Sequence, residues 1–332
     1  PGEPGNRIGG QFDFDLISHR FDSSWPRKER IGNINIYRVG HGKDTKEYYG
    51  RPVAKALYVL RAARLASKLH RQKPYDVVWG MMAAYAGMAA LFFKWFAPGV
   101  PFLLTLQEGD LEEHILKRVG PYYPLWKKVF KRADYVQAIS RYLADFGRRH
   151  GASCPIEVVP NGVDVSIFTQ DYAPQELQAL RRELNIQPQD KIIITTSRLV
   201  PKNAVDVLIR AAAVVKKSLP NIKCLILGAG KDEEMLKNLT RDLGLEKEVL
   251  FLGNILHKEM PKYLKISDVF VRASRSEGLG NSFIEAMAVG LPIIGTNVGG
   301  IPDFLRGRET GLFTKVDDEK DLAEKILLLL NN

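Results

Sequence analysis

Short apolar runs alternate with longer amphipathic stretches along the whole chain. In the first half, residues 14–18, 34–37, 77–79, 102–105 and 135–139 carry the β-branched and aromatic content of strands, and residues 52–70 carry helical periodicity. In the second half the predicted strands are 191–196, 223–227, 249–252, 269–271 and 292–296. Helices are predicted between them at 204–218, 232–243, 258–265 and 282–289. Strands alternating with helices predict parallel sheets covered by helices, an α/β chain. The same grammar in both halves predicts two Rossmann-like domains facing a cleft, with the boundary in Pro160-Asn161-Gly162-Val163-Asp164. The domains expected are therefore 1–160 and 161–332.

The run from Glu277 to Met287, Glu-Gly-Leu-Gly-Asn-Ser-Phe-Ile-Glu-Ala-Met, concentrates the candidate chemistry. It follows a strand, and it leads into a helix stopped by Gly290 and Pro292. Glycines let backbone N–H groups approach an anion, and a helix start adds partial positive charge, so phosphates suit this place. Glu277 and Glu285 repel phosphate. They suit hydroxyl groups on either side, as acceptors for a ribose and a sugar. Loop, helix start and two acidic acceptors describe a nucleotide-sugar site.

The Glu-x7-Glu spacing resembles the signature of retaining glycosyltransferases of family 4, which have the GT-B fold. Further strings stand in the family's order: Pro160 to Asp164, Ser197-Arg198-Leu199-Val200-Pro201-Lys202, Gly228-Ala229-Gly230, Phe251-Leu252-Gly253 and Val298-Gly299-Gly300-Ile301-Pro302. The resemblance spans residues 12–328. It implies transfer of a sugar from a UDP- or GDP-sugar to a hydroxyl acceptor with retention of anomeric configuration. It implies that Glu285 accepts from the ribose hydroxyls and that Glu277 contacts the transferred sugar. It makes Arg198 and Lys202 the cations that meet the donor diphosphate, so that no metal is needed. Fixed cations there stabilise the charge of the leaving group. Gly278, Leu279, Gly280, Asn281 and Ser282 line the sugar and phosphate, and Gly228 and Gly253 approach the donor. Gln107 stands where many relatives have a histidine. It can hydrogen-bond a sugar hydroxyl but cannot carry a proton. Many relatives place the lysine one residue later, at the position of Asn203. Glu108 and Asp110 are candidates for acceptor contacts. Against the family, the first hydrophobic strand and the final crossover helix are expected to be missing, with the polar stretch 1–10 preceding what resembles the second strand.

Composition changes little of this. The chain has 332 residues, 45% of them hydrophobic and 26% charged, which is ordinary for a globular chain. Cys154 and Cys224 are far apart in sequence and read as reduced thiols of a cytoplasmic protein. The net charge of +10 lies wholly in residues 1–160, with 25 Lys/Arg against 15 Asp/Glu. Residues 122–132 form a basic helix rich in aromatics, which suits an anionic membrane surface on the inner face, or else packs its apolar stripe on its own sheet. That basic half also fits a saccharide or lipid-linked acceptor of envelope glycan synthesis. No nucleic-acid motif accompanies the charge. Residues 77–93 carry no charge, yet they begin like a strand and contain Gly80 and Gly87, so a strand followed by a buried helix is expected rather than a span.

Weaker signals stay structural. Gly228-Ala229-Gly230-Lys231 lacks the full dinucleotide pattern and the Ser/Thr of a P-loop. Asp13-Phe14-Asp15 imitates a metal-binding Asp-x-Asp at a strand start, and the six histidines show no metal spacing. Two rival functions share the fold: a nucleotide-sugar epimerase or phosphorylase, and a non-catalytic nucleotide-sugar-binding remnant. The Glu277/Glu285 spacing argues against the epimerase, and no lysine has a pyridoxal-phosphate context. Turnover separates an enzyme from the remnant.

Overall fold

The structure, a computed structural model, describes residues 12–40 and 52–331; the stretch 1–10 and His41 lie outside the described residues. The chain divides into two compact units. The first takes in Pro1–Gln107, Arg118–Ala138 and Ala144–Glu157; the second takes in Glu108–Lys117, Ile139–Leu143 and Val158–Asn332.

In the first unit, β1 (Phe14–His19) pairs in parallel with β3 (Ile34–Val39). The strand β2 (Lys28–Ile31), which the pattern did not predict, pairs antiparallel with β3 through the turn at Gly32 and Asn33. Its alternating charged residues, Lys28, Glu29 and Arg30, hide it from a search for apolar runs. A second sheet has the order β4-β5-β6-β7, from Val78–Met81, Phe102–Leu106, Tyr135–Ala138 and Ile156–Val158. The helix α1 (Pro52–Gln72) packs on α2 (Gly87–Phe96). The uncharged run 77–93 is thus a strand followed by a helix that buries Leu91 and Phe93. No helix among the described residues is long and apolar enough to cross a membrane. After α3 (Glu112–Val119), the basic helix α4 (Tyr123–Arg132) turns Trp126, Val129 and Phe130 inward, so its apolar stripe packs within its own domain. Trp126 and Phe130 meet edge-to-face with centroids 4.7 Å apart, and the exposed remainder is Lys128, Lys131 and Arg132. The helix α5 (Arg141–Arg149) follows β6.

From Val158 onward the second unit runs through α6 (Val165–Phe168) and α7 (Pro174–Glu183). Its sheet is built from β8 (Lys191–Thr196), β9 (Ile222–Leu227), β10 (Val249–Gly253), β11 (Val269–Arg272), β12 (Ile293–Thr296) and β13 (Leu312–Thr314). The order is β10-β9-β8-β11-β12-β13, and every pair is parallel. All five strands expected in this half are present. The three-residue β13 was too short to stand out.

Alternation along these strands feeds two cores, as a sheet covered on both faces requires. Ile193, Cys224, Ile226, Val269 and Val271 pack with α8 (Val205–Ser218) and α12 (Glu319–Leu330). Ile192, Ile194, Leu225, Leu227 and Phe270 pack on the other face with Phe168, Leu264 and Phe283. Phe283 belongs to α11 (Asn281–Val289), and Leu264 to α10 (Met260–Lys265). The helix α9 (Glu233–Asp242) adds Leu236 to the first core. Burial pushes the Cys224 thiol up to about 12, which leaves it inert.

The chain order reverses between β8 and β11. In an open parallel sheet the loops leaving two such strands diverge to opposite faces, and the gap at their carboxyl ends is the natural ligand crevice. The loop leaving β11 is packed against the segment after β12. A Cβ added to Gly299, which has φ +54°, would lie 1.8 Å from the Glu277 carbonyl oxygen. Gly290, with φ +87°, has nothing within 4 Å of the same position. Gly290→Ala should therefore cost only the left-handed strain, about 1–3 kcal/mol. Gly299→Ala must also push the loop away, and its melting temperature should fall further than that of Gly290→Ala. Equal losses in a thermal melt would show that the loop does not depend on this contact.

Candidate active site

Two loops meet at the switch point. The first leaves β8 and carries Ser197, Arg198 and Lys202; the second leaves β11 and carries residues 273–280. Arg275 ties them together. Its Nη1 and Nη2 bond both Asp206 oxygens at 3.1 and 2.8 Å, and Nη1 also donates to the Pro201 carbonyl at 2.5 Å. Its Nε donates to Asp317 at 2.7 Å, and its backbone N–H donates to the Lys202 carbonyl at 2.7 Å. The hydrogen bonds to Asp206, with its charge, hold the Arg275 guanidinium above its ordinary pKa.

The second loop delivers the chain into α11 at Gly280, whose φ is +95°. No side chain caps this nine-residue helix, so its first-turn N–H groups stand ready for an anion. Glu277 precedes the helix and Glu285 lies on it. The Gly278 amide donates to Glu277 Oε1 at 3.2 Å. Leu279 is buried beneath the loop. Asn281 is exposed, and its Oδ1 accepts from Asn161 Nδ2 at 3.3 Å. Ser282 Oγ accepts from Arg272 Nη1 at 2.7 Å.

Arg198 is exposed, and its guanidinium makes no hydrogen bond or ion pair with the described residues. Lys202 is engaged: Nζ donates to the Gly109 carbonyl at 2.8 Å and pairs with Asp110 at 3.1 Å. Ser276 Oγ donates to the same carbonyl at 3.2 Å. Asp110 thus serves a cation of the site, and Glu108 is buried with its carbonyl against Gly278. Gly228 and Gly253 are brought together, the Gly228 amide donating to the Gly253 carbonyl at 2.7 Å. Gln107 follows β5 and belongs to the first unit.

Two members of the site left no signal in the sequence. Arg272, the last residue of β11, is a buried cation. It lies 2.5 Å from Glu277 Oε2, and the side chains are 11% and 12% exposed. Its other contacts are Ser282, Asn203 Oδ1 at 3.0 Å and Ser274 Oγ at 3.2 Å. Burial pulls its pKa below the ordinary value, and Glu277 opposes that pull. Asn203 is buried and turned to this guanidinium, with Nδ2 donating to the Arg198 carbonyl at 2.7 Å. The second is His257, whose Nε2 lies 3.2 Å from Glu285 Oε1 while its ring packs edge-on against Phe168. Burial holds the Glu285 carboxyl above its ordinary pKa, partly offset by His257. Among the described residues no cluster of three or more His, Cys, Asp or Glu side chains could hold a metal ion.

Comparison with known proteins follows the same division. The family model of glycosyl transferases group 1 matches residues 177–332, and that of glycosyltransferase family 4 matches residues 10–167. A Corynebacterium glutamicum protein, GDP-mannose-dependent monoacylated alpha-(1-6)-phosphatidylinositol monomannoside mannosyltransferase, is 33% identical over 214 residues, covering 62% of this chain and 55% of its own. A D-inositol 3-phosphate glycosyltransferase of Mycobacteroides abscessus is 31% identical over 240 residues, covering 68% and 50%. The chain spans about half the length of these relatives. Among solved structures, the Anabaena protein HepE in complex with UDP and glucose superposes with TM-score 0.76 at 18% identity, over 96% of this chain and 90% of that one. Sucrose-phosphate synthase from Thermosynechococcus elongatus gives 0.77 at 19%, over 96% and 79%. These likenesses show the fold: GT-B, α/β with two Rossmann-like domains.

The raised pKa of Glu285 has a sign that can be tested. Its proton contributes stability that is present below the ordinary value of 4.5 and lost as pH rises through the higher folded value. Above that pH the wild type carries a buried charge that Glu285→Gln lacks. Without ligand, Glu285→Gln should melt higher than wild type near pH 7, and the two should converge below pH 4.5. A variant that melts lower at every pH would refute this account.

Proposed function

The chain belongs to the glycosyltransferases of group 1 and family 4, and on that premise we propose that it transfers a sugar from a UDP- or GDP-sugar to a hydroxyl acceptor, with retention. The observation that carries this is the uncapped start of α11, bracketed by Glu277 and Glu285 at the switch point, with the exposed Arg198 on the neighbouring loop. Diphosphate oxygens accept from the α11 amides and pair with Arg198. Lys202 joins them by exchanging Asp110 for phosphate. Glu285 accepts from the ribose hydroxyls and Glu277 from the hydroxyls of the sugar. Gly228, Gly253, Leu279 and Asn281 shape the donor surface, and Gln107 serves the sugar from the first domain.

In the transfer, the bond from the anomeric carbon to the leaving phosphate oxygen breaks and its electron pair passes to the diphosphate. The acceptor oxygen bonds to the same face of that carbon, and its proton goes to the leaving phosphate. Charge therefore builds on the diphosphate, which Arg198 and Lys202 meet. No cofactor enters this scheme. The Corynebacterium relative is named for a GDP-mannose donor and a phosphatidylinositol mannoside acceptor, which supports a saccharide or lipid-linked acceptor here. The basic first half, whose +10 charge is unbalanced, would attract such an acceptor at an anionic membrane surface on the cytoplasmic side.

Donor binding tests the proposal. A nucleotide at 100 times its Kd stabilises a folded protein by about 2.7 kcal/mol. GDP or UDP should raise the melting temperature, and Glu285→Ala should lose most of that rise. No rise with either nucleotide would sink the donor assignment. Arg198→Ala should lower kcat/KM for donor turnover by about 10²–10³, the usual loss for one group that meets developing negative charge.

A further inference from the structure

A guanidinium that is almost wholly buried demands a reason. Arg272 directs its nitrogens into the site: Nε donates to Ser274, Nη1 to Ser282 and Nη2 to Asn203, and Nη2 also forms an ion pair with Glu277. Ser282 is in the first turn of α11, and Asn203 in turn holds the carbonyl of Arg198. One face of the Arg272 guanidinium lies over the Phe283 ring at 5.9 Å. One side chain thus reaches the sugar carboxylate, the phosphate-binding helix start and the backbone of the diphosphate-binding loop.

We propose that Arg272 is the positioning residue of the donor site, holding Glu277 in a single rotamer so that its carboxylate is offered to the sugar of the nucleotide donor. The inference rests on the proposed function and adds a residue to it. Glu277 is itself only 12% exposed, and a buried carboxylate without a counter-charge takes up a proton. A protonated acid can no longer accept at both oxygens from sugar hydroxyls. The other charged groups around the pair do not replace Arg272. Arg198 and Glu285 act on it through space with opposite signs. Lys202, beside Gly109, is committed to Asp110 and the Gly109 carbonyl, and Glu108 adds a further carboxyl on the same segment. Arg272 pairs with Oε2 by charge, and Oε2 has no hydrogen-bond partner among the described residues, while Oε1 accepts from the Gly278 amide and faces the glycine loop.

The test compares wild type, Arg272→Met, Arg272→Lys, Glu277→Gln and the Arg272→Met/Glu277→Gln double variant. GDP-mannose and UDP-glucose are the probes, and release of nucleoside diphosphate against pH is the readout. Arg272→Met removes the charge paired with the buried Glu277 carboxylate. Its kcat should be about 10²-fold below wild type at pH 7 and should climb toward pH 9, over a range where wild type is flat. GDP and UDP, which lack the sugar, should bind Arg272→Met within about threefold of wild type. The double variant should be no slower than Glu277→Gln alone, because the two residues act as a unit. Arg272→Lys keeps the charge but cannot reach Ser282 and Glu277 together. It should lose rate with no new pH dependence, and it decides the matter if Arg272→Met does not fold. A pH-flat Arg272→Met profile, or losses that multiply in the double variant, overturns the proposal and leaves the proposed function standing. A wild type that binds neither nucleotide overturns both.

Discussion

The loop between β11 and α11 is flanked by backbone, with no side chain between. The Gly300 amide donates to the Glu277 carbonyl at 3.1 Å, and a Cβ on Gly300 would lie 2.1 Å from the Gly278 carbonyl oxygen. A Cβ on Gly278 would lie 2.6 Å from the carbonyl oxygen of Glu108. Three segments distant in sequence therefore meet at van der Waals contact between main chains, which only glycine permits. The consequence reaches beyond the loop. With its backbone pinned, Glu277 has a fixed direction, Gly280 has a fixed exit into α11, and Glu285, little more than one turn later, falls at a set distance along that helix. Both carboxylates are positioned by the same contact.

Charge is distributed in this site so that nearly every ionised group already has a partner. Lys202 has Asp110, Glu277 has Arg272, and Glu285 has His257. Arg198 stands apart as the exposed cation. Under the proposed function, a diphosphate with about two negative charges would find one cation open and one that must exchange a carboxylate for phosphate. The exchange keeps Lys202 from an isolated state on either side of binding. Ground-state pairing also keeps the empty site from paying the full cost of burying like charges together. The exposure of Arg198 fits a first contact, and the burial of Arg272 fits a group that never leaves its place.

Much of this was legible from one dimension. Short apolar runs located the five strands of the second domain because both faces of that sheet are buried. Glycines located the donor loop because close main-chain approach restricts the residue type. What the sequence hid depends on distance along the chain. Arg272 looks like any strand-terminal arginine until Asn203, 69 residues earlier, is brought beside it. His257 meets Glu285 only because α10 and α11 pack on one face. Lys202 turns to a carbonyl 93 residues away. The basic helix α4 illustrates a different limit. Helical periodicity predicts an apolar stripe, but whether lipid or protein covers it depends on what the rest of the chain provides. Here Trp126, Val129 and Phe130 are covered by their own domain.

The strand order explains why two loops, and no others in the second domain, carry the cations and the carboxylates. β8 and β11 are adjacent in the sheet but separated by β9 and β10 in sequence. Their loops leave toward opposite faces and would part unless held. Arg275 holds them, since its bidentate pair with Asp206 and its bonds to the backbone of Pro201 and Lys202 lock the second loop to the first. Such fixity is what electrostatic catalysis requires. A cation that must move to meet a leaving group spends its interaction on reorganisation, whereas one already in place lowers the barrier in full. The residues most visible in the sequence are those that the proposed function assigns to the donor. The residues that make them effective, Arg272 and Arg275, lie behind them and were found only through their contacts.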